Sequence, residues 1–421
     1  MFAGAFNIIA QALDVYRKAI EVRDRNVANA QDENYVRESP LIQSDLYSGI
    51  TLEGVRRIQN FNFINLRNEK LSLINLLDER KEVLSQIESM FQVGKGLEDY
   101  VNDFFKTYED FLKEPTNEGA KSALLSSAKA MVNVIRSRYK QLNNLSQNLD
   151  SVLGKYVRRV NELLKKIYNV NREITLAYVQ TGGKDYKTLL NKRDAYLKEL
   201  SNYIYVRAQE DEIGRIKVVT DKGFVLVDFG NAYYTLEAEN GRVKYQRDGS
   251  DITDFLRGGK IKGVVDAQND IETTVNNLSN LVNTLLNLNI PLNDGTEKSV
   301  FKISGSAIDT FEVNITRNDL DSVDFARAAD YAESGLNVWE NAKDDVIKLT
   351  DYIGTEKSSL ETTYDTEKAL YDSMEKKILE RQGVSIDEEF MEIIKLQRTY
   401  EAVAKILPRL DELMQTTINM I

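Results

Sequence analysis

Apolar residues recur at alternating intervals of three and four at both ends of this chain, and no other feature constrains its fold as tightly. At the start the stripe is Phe2, Phe6, Ile9, Leu13, Tyr16, Ile20 and Val27, with Arg23 as its polar interruption. At the end it is Ile393, Leu396, Tyr400, Val403, Leu407, Leu410, Met414 and Ile421, with Thr417 as the exception. A 3–4 alternation lines one face of an α-helix and forms a seam against a second helix. Such a stripe is commonly the inward face of a bundle. Two of them at the chain ends, where chains tend to fray, each demand a partner. The expectation is two terminal helices that pair with each other and with neighbouring subunits.

The interior reads as mostly helical for a related reason: there are only four prolines in 421 residues, and charged residues make up 29%. Long, solvent-washed helices fit that balance. Residues 34–49 read as an extended connector containing Pro40. Helical periodicity resumes over 54–91 (Val55, Ile58, Phe63, Leu66, Leu73, Leu76, Leu77, Leu84, Ile87) and closes at Gly94 and Gly96. A short helix covers 97–113, and Pro115 opens one over 116–180 that stops at Gly182-Gly183. A further helix covers 185–201. Then the period changes to two, with Tyr203, Tyr205 and Val206, followed by runs at 216–220, 224–228 and 233–236. Asp221-Lys222-Gly223 and Asn240-Gly241 supply the turns, the latter a type I′ signal. A helix over 261–288, one or two strands across 299–316, and helices over 324–382 and from 386 complete the chain. Pro408 should kink or end the last helix near 404–407 and divide an anchored helix from a tail that orders only on assembly.

The fold class is mainly α: a long helical-bundle or coiled-coil body built from both chain ends, with a small antiparallel β-rich domain inserted. Its expected parts are 1–50, the N-terminal assembly helix and connector; 51–202 and 321–384, the two halves of the helical body; 203–320, the β-rich insertion with one helix; and 385–421, the C-terminal assembly helix.

Cysteine and histidine are both absent. That removes zinc fingers, Cys-His and Ser-His-Asp nucleophiles and histidine proton shuttles. A net charge of −11 without a basic block argues against nucleic acid and against an acidic membrane surface. No run of about 18 apolar residues suggests a membrane span, and residues 1–12 lack the pattern of a cleaved signal. Gly182-Gly183-Lys184 and Gly258-Gly259-Lys260 fail as phosphate loops, because Tyr178 and Asp254 stand where glycine is needed and Asp185 and Ile261 where Ser or Thr is. Asp344-Asp345 and Asp387-Glu388-Glu389 could bind metal or act as acid and base. The second reads better as a helix start, with Ser385 and Glu388 as a capping box and acids at the positive end of the dipole. Trp339, the only tryptophan, reads as core. No catalytic, metal or cofactor-binding residue is expected, and no enzyme activity.

Residues beside the seams carry a resemblance. Asn26-Val27-Ala28-Asn29-Ala30 followed by Tyr35-Val36-Arg37 resembles the signature near the N-terminus of bacterial flagellar axial proteins. Gly383-Val384-Ser385-Ile386-Asp387-Glu388-Glu389, then Gln397, Tyr400, Ala402, Ala404, Lys405 and Asp411-Glu412-Leu413, resembles the tail of the same superfamily. The middle narrows it: Val160-Asn161, Asn169, Asn171, Ile174, Leu190-Asn191-Lys192-Arg193-Asp194 and Glu199-Leu200-Ser201 are similar to the core of the hook-associated protein 1 family, the first hook–filament junction proteins. Phe104-Phe105 with Pro115, and Gly49-Ile50 with Val55, Arg57, Leu66 and Arg67, fall where that family has matching stretches. Asn34 departs from the usual glycine, Asn191 from the usual aspartate, and the β-rich insertion is short.

The resemblance implies a structural subunit joining hook to filament, exported through the flagellar type III route without a cleaved signal and placed outside the cell. Its implied partners are the hook protein, the second hook–filament junction protein, further copies of itself as lateral neighbours, and an export chaperone at the C-terminal helix. Its implied assembly residues are Ile9, Leu13, Ile20, Asn26, Ala28, Asn29, Tyr35, Arg37, Gln397, Tyr400, Ala404, Leu407, Leu410 and Met414. Arg193, Asp194, Ser385, Asp387, Glu388 and Glu389 are implied as structural motif residues. Rival readings are flagellin or the second junction protein, a helical signalling rod, and an enzyme grafted on an axial scaffold.

Overall fold

The computed structural model describes residues 2–32, 34–45, 49–92, 95–182, 186–305 and 307–419. The expectations placed on Gly94, Gly183, Lys184, Asp185, Ile421 and the side chain of Phe2 lie outside what it describes. Both terminal stripes fold as helices, α1 (Phe2–Ala28) at the start and a broken pair at the end. Between them run β1 (Glu38–Asp45), β2 (Gly49–Arg57), α2 (Phe61–Gln92), α3 (Leu97–Lys113), α4 (Glu118–Thr181) and α5 (Lys187–Tyr203). The β-rich stretch holds β3 (Arg207–Glu210), β4 (Ile216–Val219), β5 (Val225–Asp228), β6 (Ala232–Tyr233), β7 (Leu236–Glu239), β8 (Arg242–Tyr245) and β9 (Ser250–Asp251). Then come α6 (Gly259–Leu286), β10 (Asn289–Pro291), β11 (Glu297–Ser299), β12 (Phe301–Lys302), β13 (Glu312–Val313), α7 (Arg317–Asp321), α8 (Ala328–Gln382), α9 (Ile386–Ala404) and α10 (Ile406–Asn419).

The mainly helical architecture with a small antiparallel region is as the sequence predicts, and several local readings are corrected. Residues 34–49 are not a plain connector, and 54–60 are not helical. β1 and β2 pair antiparallel from Glu38↔Arg57 to Asp45↔Gly49, with a bulge that leaves Glu53 unmatched. The apolar spacing of Val55 and Ile58 suits a helix, but Pro40 opposite Val55 cannot join one, and β-branched Ile50, Thr51 and Val55 favour the ladder. Pro115 does not open α4. Asn117 caps it, its Oδ1 accepting from the Gly119 and Ala120 amides at 2.9 and 3.2 Å. Tyr203 ends α5, Tyr205 and Val206 lie before β3, and the expected strand over 233–236 divides between the end of β6 and the start of β7.

Asn240 and Gly241 take φ of 51° and 74°, the two left-handed positions of a type I′ turn between β7 and β8. The C-terminal helix breaks at Lys405, as Pro408 requires: proline has no N–H for the Ala404 carbonyl, and its ring crowds that group. Pro408 then sits in the first turn of α10, where it is tolerated.

The chain forms two compact units. The first comprises Met1–Ser72, Val160–Thr235 and Lys368–Ile421. Its core gathers Val160, Leu163, Leu164, Ile167 and Val170 of α4, Leu197 and Leu200 of α5, and Ile216 and Val218 of β4. Asn171, fully buried, splints α4 to β4: its Nδ2 donates to the Ile216 carbonyl at 2.8 Å, and its Oδ1 accepts from the Ile216 amide at 3.0 Å. Both backbone groups of a strand residue are thereby satisfied by one amide side chain.

The second unit comprises Leu73–Arg159 and Leu236–Glu367. Its core has an aromatic centre, with Phe104 of α3 lying 5.1 Å from Phe301, which lies 5.3 Å from Phe311. All three are buried, at about 1.5–3 kcal/mol of transfer energy each. Leu124, Ala128, Met131, Ile135, Leu142, Leu145 and Leu149 continue a 3–4 line along α4. Arg80 of α2 makes a two-pronged pair with Asp270 of α6 (2.6 and 2.7 Å), and Tyr352 of α8 donates to the same carboxylate at 2.8 Å. Three helices are thus pinned at one height. Gly263 lets α6 lie against α2: a Cβ there would stand 2.7 Å from the Leu76 carbonyl oxygen and 2.8 Å from Glu79 Cβ. Gly263→Ala should cost about 1–3 kcal/mol through that overpacking, read as a lowered denaturation midpoint; an unchanged midpoint would contradict the close approach.

Candidate functional site: a buried network joining the chain ends

α1 packs on α9, on α10 and on the β1–β2 hairpin. The line it buries is not the predicted one. Ala12, Val15, Ala19, Val22 and Asn26 are fully buried, whereas Ile9, Leu13, Tyr16, Ile20 and Val27, one position further on, are half-buried. Size explains the shift: Ala12 and Ala19 let backbones approach, and the larger side chains flank the contact. Facing them, Ile393 is buried and Leu396, Val403, Ala404, Leu407, Leu410 and Met414 are half-buried. Gln397 and Tyr400 are exposed, as is Ala28 at the last turn of α1.

At the hairpin end of this helix pair the two terminal motifs meet. Asn26 has 0% exposure and uses all four hydrogen-bonding capacities of its amide. Its Nδ2 donates to the Glu38 carbonyl at 2.8 Å and to Glu389 Oε2 at 3.0 Å. Its Oδ1 accepts from the Glu38 amide and from the Tyr35 hydroxyl, each at 2.9 Å. Burial, with the Glu38 carboxylate nearby, pushes the Tyr35 phenol above its ordinary range, so it remains a donor.

Glu389, also at 0% exposure, anchors the other side. Arg37 Nε donates to it at 2.6 Å and Arg23 Nη1 at 3.2 Å, while Arg37 Nη1 reaches Glu388 at 3.0 Å. Burying a carboxylate away from water is costly, and these partners offset that cost. Ser385 caps α9 by accepting from the Glu388 amide at 3.4 Å, as its position suggests. Asp387 is exposed in the same first turn. Asn29 lies outside the network; its Nδ2 donates to the Arg25 carbonyl at 2.8 Å, closing the last turn of α1.

A second ionic cluster ties α5 to both sheets of the first unit. Arg193, with 0% exposure, donates to Asp194 Oδ1 through Nε at 2.9 Å and Nη2 at 2.6 Å, to Glu210 at 2.6 Å, and to the Gly214 carbonyl. Arg57 of β2 donates to Asp194 Oδ2 at 2.9 Å and to Asn191 at 2.7 Å, and Gln59 adds a bond to Asp194 at 3.0 Å. Burial disfavours the charged form of Asp194, but Arg193 and Arg57 outweigh it and hold the carboxyl below the usual range. Asn191 keeps the acceptor that the usual aspartate would supply.

Five participants were invisible as such in the sequence: Arg23, Glu38, Gln59, Glu210 and the carbonyl of Gly214. Arg23 did leave a signal, a charge interrupting an apolar seam. Among the described residues no group of three or more His, Cys, Asp or Glu could hold a metal, and no helix is long and apolar enough to cross a membrane. Gly258 caps α6, and the Lys260 that follows reaches Glu79 at 3.5 Å. Trp339 is half-buried and donates to Asn102 at 3.1 Å.

Family models match two stretches of this chain. The model described as flagellar basal body rod FlgEFG protein C-terminal matches residues 375–420, the stretch that holds α9 and its acidic start. That match, with chain ends that close on each other, sets the class as a flagellar axial protein. The model described as flagellar hook-associated protein FlgK helical domain matches residues 84–293. Relatives named flagellar hook-associated protein 1 are 22% identical in Bacillus subtilis, over 52% of this chain and 46% of theirs, and 20% identical in Escherichia coli, over 54% and 43%. The flagellar hook junction protein FlgK from Burkholderia pseudomallei shares the fold with a TM-score of 0.50 and 19% identity, over 57% of this chain and 47% of its own. Within the axial class, the chain belongs to the FlgK family of flagellar hook-associated proteins. It spans about half the length of the curated relatives it matches.

Proposed function

We propose that this protein is a non-enzymatic junction subunit of the bacterial flagellum, joining hook to filament through its paired terminal helices. The observation that carries the reading is the convergence of Asn26, Tyr35 and Arg37 from one end with Glu388 and Glu389 from the other on a single buried network. A subunit that must transmit torque needs its ends fixed in one register, and a fully satisfied polar network specifies register where an apolar seam alone permits slippage. The half-buried stripe of Ile9, Leu13, Ile20, Leu407, Leu410 and Met414, with exposed Gln397 and Tyr400, then serves neighbouring subunits. These are the hook protein, the second junction protein and lateral copies of this chain. Export follows the type III route, with a chaperone at the C-terminal helix, and places the protein outside the cell.

Electron microscopy of cells lacking the gene tests this reading. The expected outcome is hooks without filaments and flagellin shed into the medium; normal filaments would refute it. In complemented cells Asn26→Ala should leave most hooks bare, while Asn29→Ala, which loses one bond to an exposed helix end, should leave filament number near normal. Equal effects of the two would contradict the assignment of the network.

A further inference from the structure

On the first unit, the end of β2 and the turn after it face the C-terminal turns of α8 across a cleft of about 600 Å³. Ile58, Phe63 and Ile378 form its floor, with Phe63 38% exposed, and Arg56, Lys377 and Arg381 stand on its rim. The Arg381 guanidinium lies 5.6 Å over the Phe63 ring. Glu380 also lines the cleft. Among the described residues no carboxylate pairs with Arg56, Lys377 or Arg381. Three cations without a carboxylate partner thus border one apolar floor, in a chain of 66 acids and 55 bases. They define an occupant that is apolar and acidic at once.

The start of α9 has that character. Asp387, Phe390, Met391 and Ile394 stand at i, i+3, i+4 and i+7, so they share one helical face. Phe390, Met391 and Ile394 are 50%, 57% and 47% exposed, and no described cation pairs with Asp387. Cleft and face are both open in the same chain, so one copy does not satisfy itself. We propose that the cleft receives the acid-tipped α9 face of a second copy, with Asp387 meeting Lys377 and Arg381 and the apolar side chains covering Phe63 and Ile378. This rests on the junction reading in that it names one of its lateral contacts. A head-to-tail contact of this kind builds a ring or an open helix of copies rather than a closed dimer.

The absence of cysteine makes every introduced thiol unique. Full-length Glu380→Cys and Met391→Cys chains, mixed and oxidised, should form a cross-linked heterodimer at several times the yield of Glu380→Cys mixed with Ser358→Cys, an exposed control. Lys377→Glu with Arg381→Glu in the cleft partner should bring the yield down to the control level, and Asp387→Lys in the other partner should restore it. Amide exchange matching the unsubstituted chain would establish that the variants fold. A yield no higher than the control, or a loss that Asp387→Lys does not restore, overturns the proposal. In cells, Lys377→Glu with Arg381→Glu and normal filaments beside a bare-hooked deletion strain would refute the cleft and leave the junction reading standing. Filaments in the deletion strain would refute the junction reading while the cross-link still held.

Discussion

Glu389→Ala is expected to weaken the docking of α1 on α9 by about 3–5 kcal/mol, the usual cost of removing one partner from a buried ion pair. The loss is large because the carboxylate has no exposure and answers three donors at once, Arg23, Arg37 and Asn26. Without it Arg23, only 12% exposed at its side chain, and half of Arg37's fork are left buried and unpaired. Amide hydrogen exchange reads the effect locally. Protection along α1 and α9 should fall by two orders of magnitude or more, since each 1.4 kcal/mol is a factor of ten, while α3 and α6 of the second unit keep theirs. Uniform loss across the chain, or none, would contradict the assignment. Glu389→Gln should sit between the two, since it keeps the shape and one acceptor but loses the charge.

Arg193→Met should cost about 3–5 kcal/mol, because Asp194 Oδ1 and Glu210 lose their cation to an apolar side chain of similar length, while Arg57 and Gln59 still hold Asp194 Oδ2. Arg193→Lys should recover only part, since a single ammonium cannot reproduce the fork that grips Asp194 through Nε and Nη2 while Nη1 holds Glu210. The same cluster sets an acid dependence. Asp194 has its pKa depressed by Arg193 and Arg57 against the opposing effect of burial, so its stabilisation is complete above the unfolded aspartate value of about 3.9 and is lost as pH falls through the lower folded value. Denaturant midpoints should therefore fall steeply below about pH 4. Asp194→Asn should flatten that fall; an unaltered slope would show that other carboxylates govern it.

The helices were largely legible because their signal is repeated many times over. α3, α4, α6 and α8 each present many turns of 3–4 spacing without a proline, and one ambiguous residue does not change the period. The β1–β2 hairpin was not legible, because neither strand alternates between covered and exposed residues, and Val55 and Ile58 happen to fall three apart. Pro40 carried the contrary information, since proline in a two-stranded ladder sits on an edge where its missing N–H is harmless. The same limit moved the buried line of α1 by one position. Periodicity locates a face within about one residue, and the choice between Leu13 and Ala12 rests on how near a partner backbone can come, which no single helix encodes.

The network was legible as letters and not as geometry. Asn26, Tyr35, Arg37, Glu388 and Glu389 stood out beside the seams, yet the acidic trio read as a helix start, which accounts for Asp387 and for the exposed Glu388. Nothing local sets Glu389 apart from its neighbours. Only the fold, by bringing α9 alongside α1, places one carboxylate of the three inward. Arg23 carried the complementary half of that information from 366 positions away, and a charge breaking an apolar seam is the feature that paired it.

The central claim is that the two chain ends are held in register by direct bonding through Glu389, and a double-mutant cycle on Arg37 and Glu389 tests it most directly. With hydrogen exchange at α1 as the readout, Arg37→Ala, Glu389→Ala and the double variant should give a coupling energy of about 1–3 kcal/mol, because the two side chains meet at 2.6 Å. Strictly additive effects would contradict the account, since they would mean that each end is stabilised without the other.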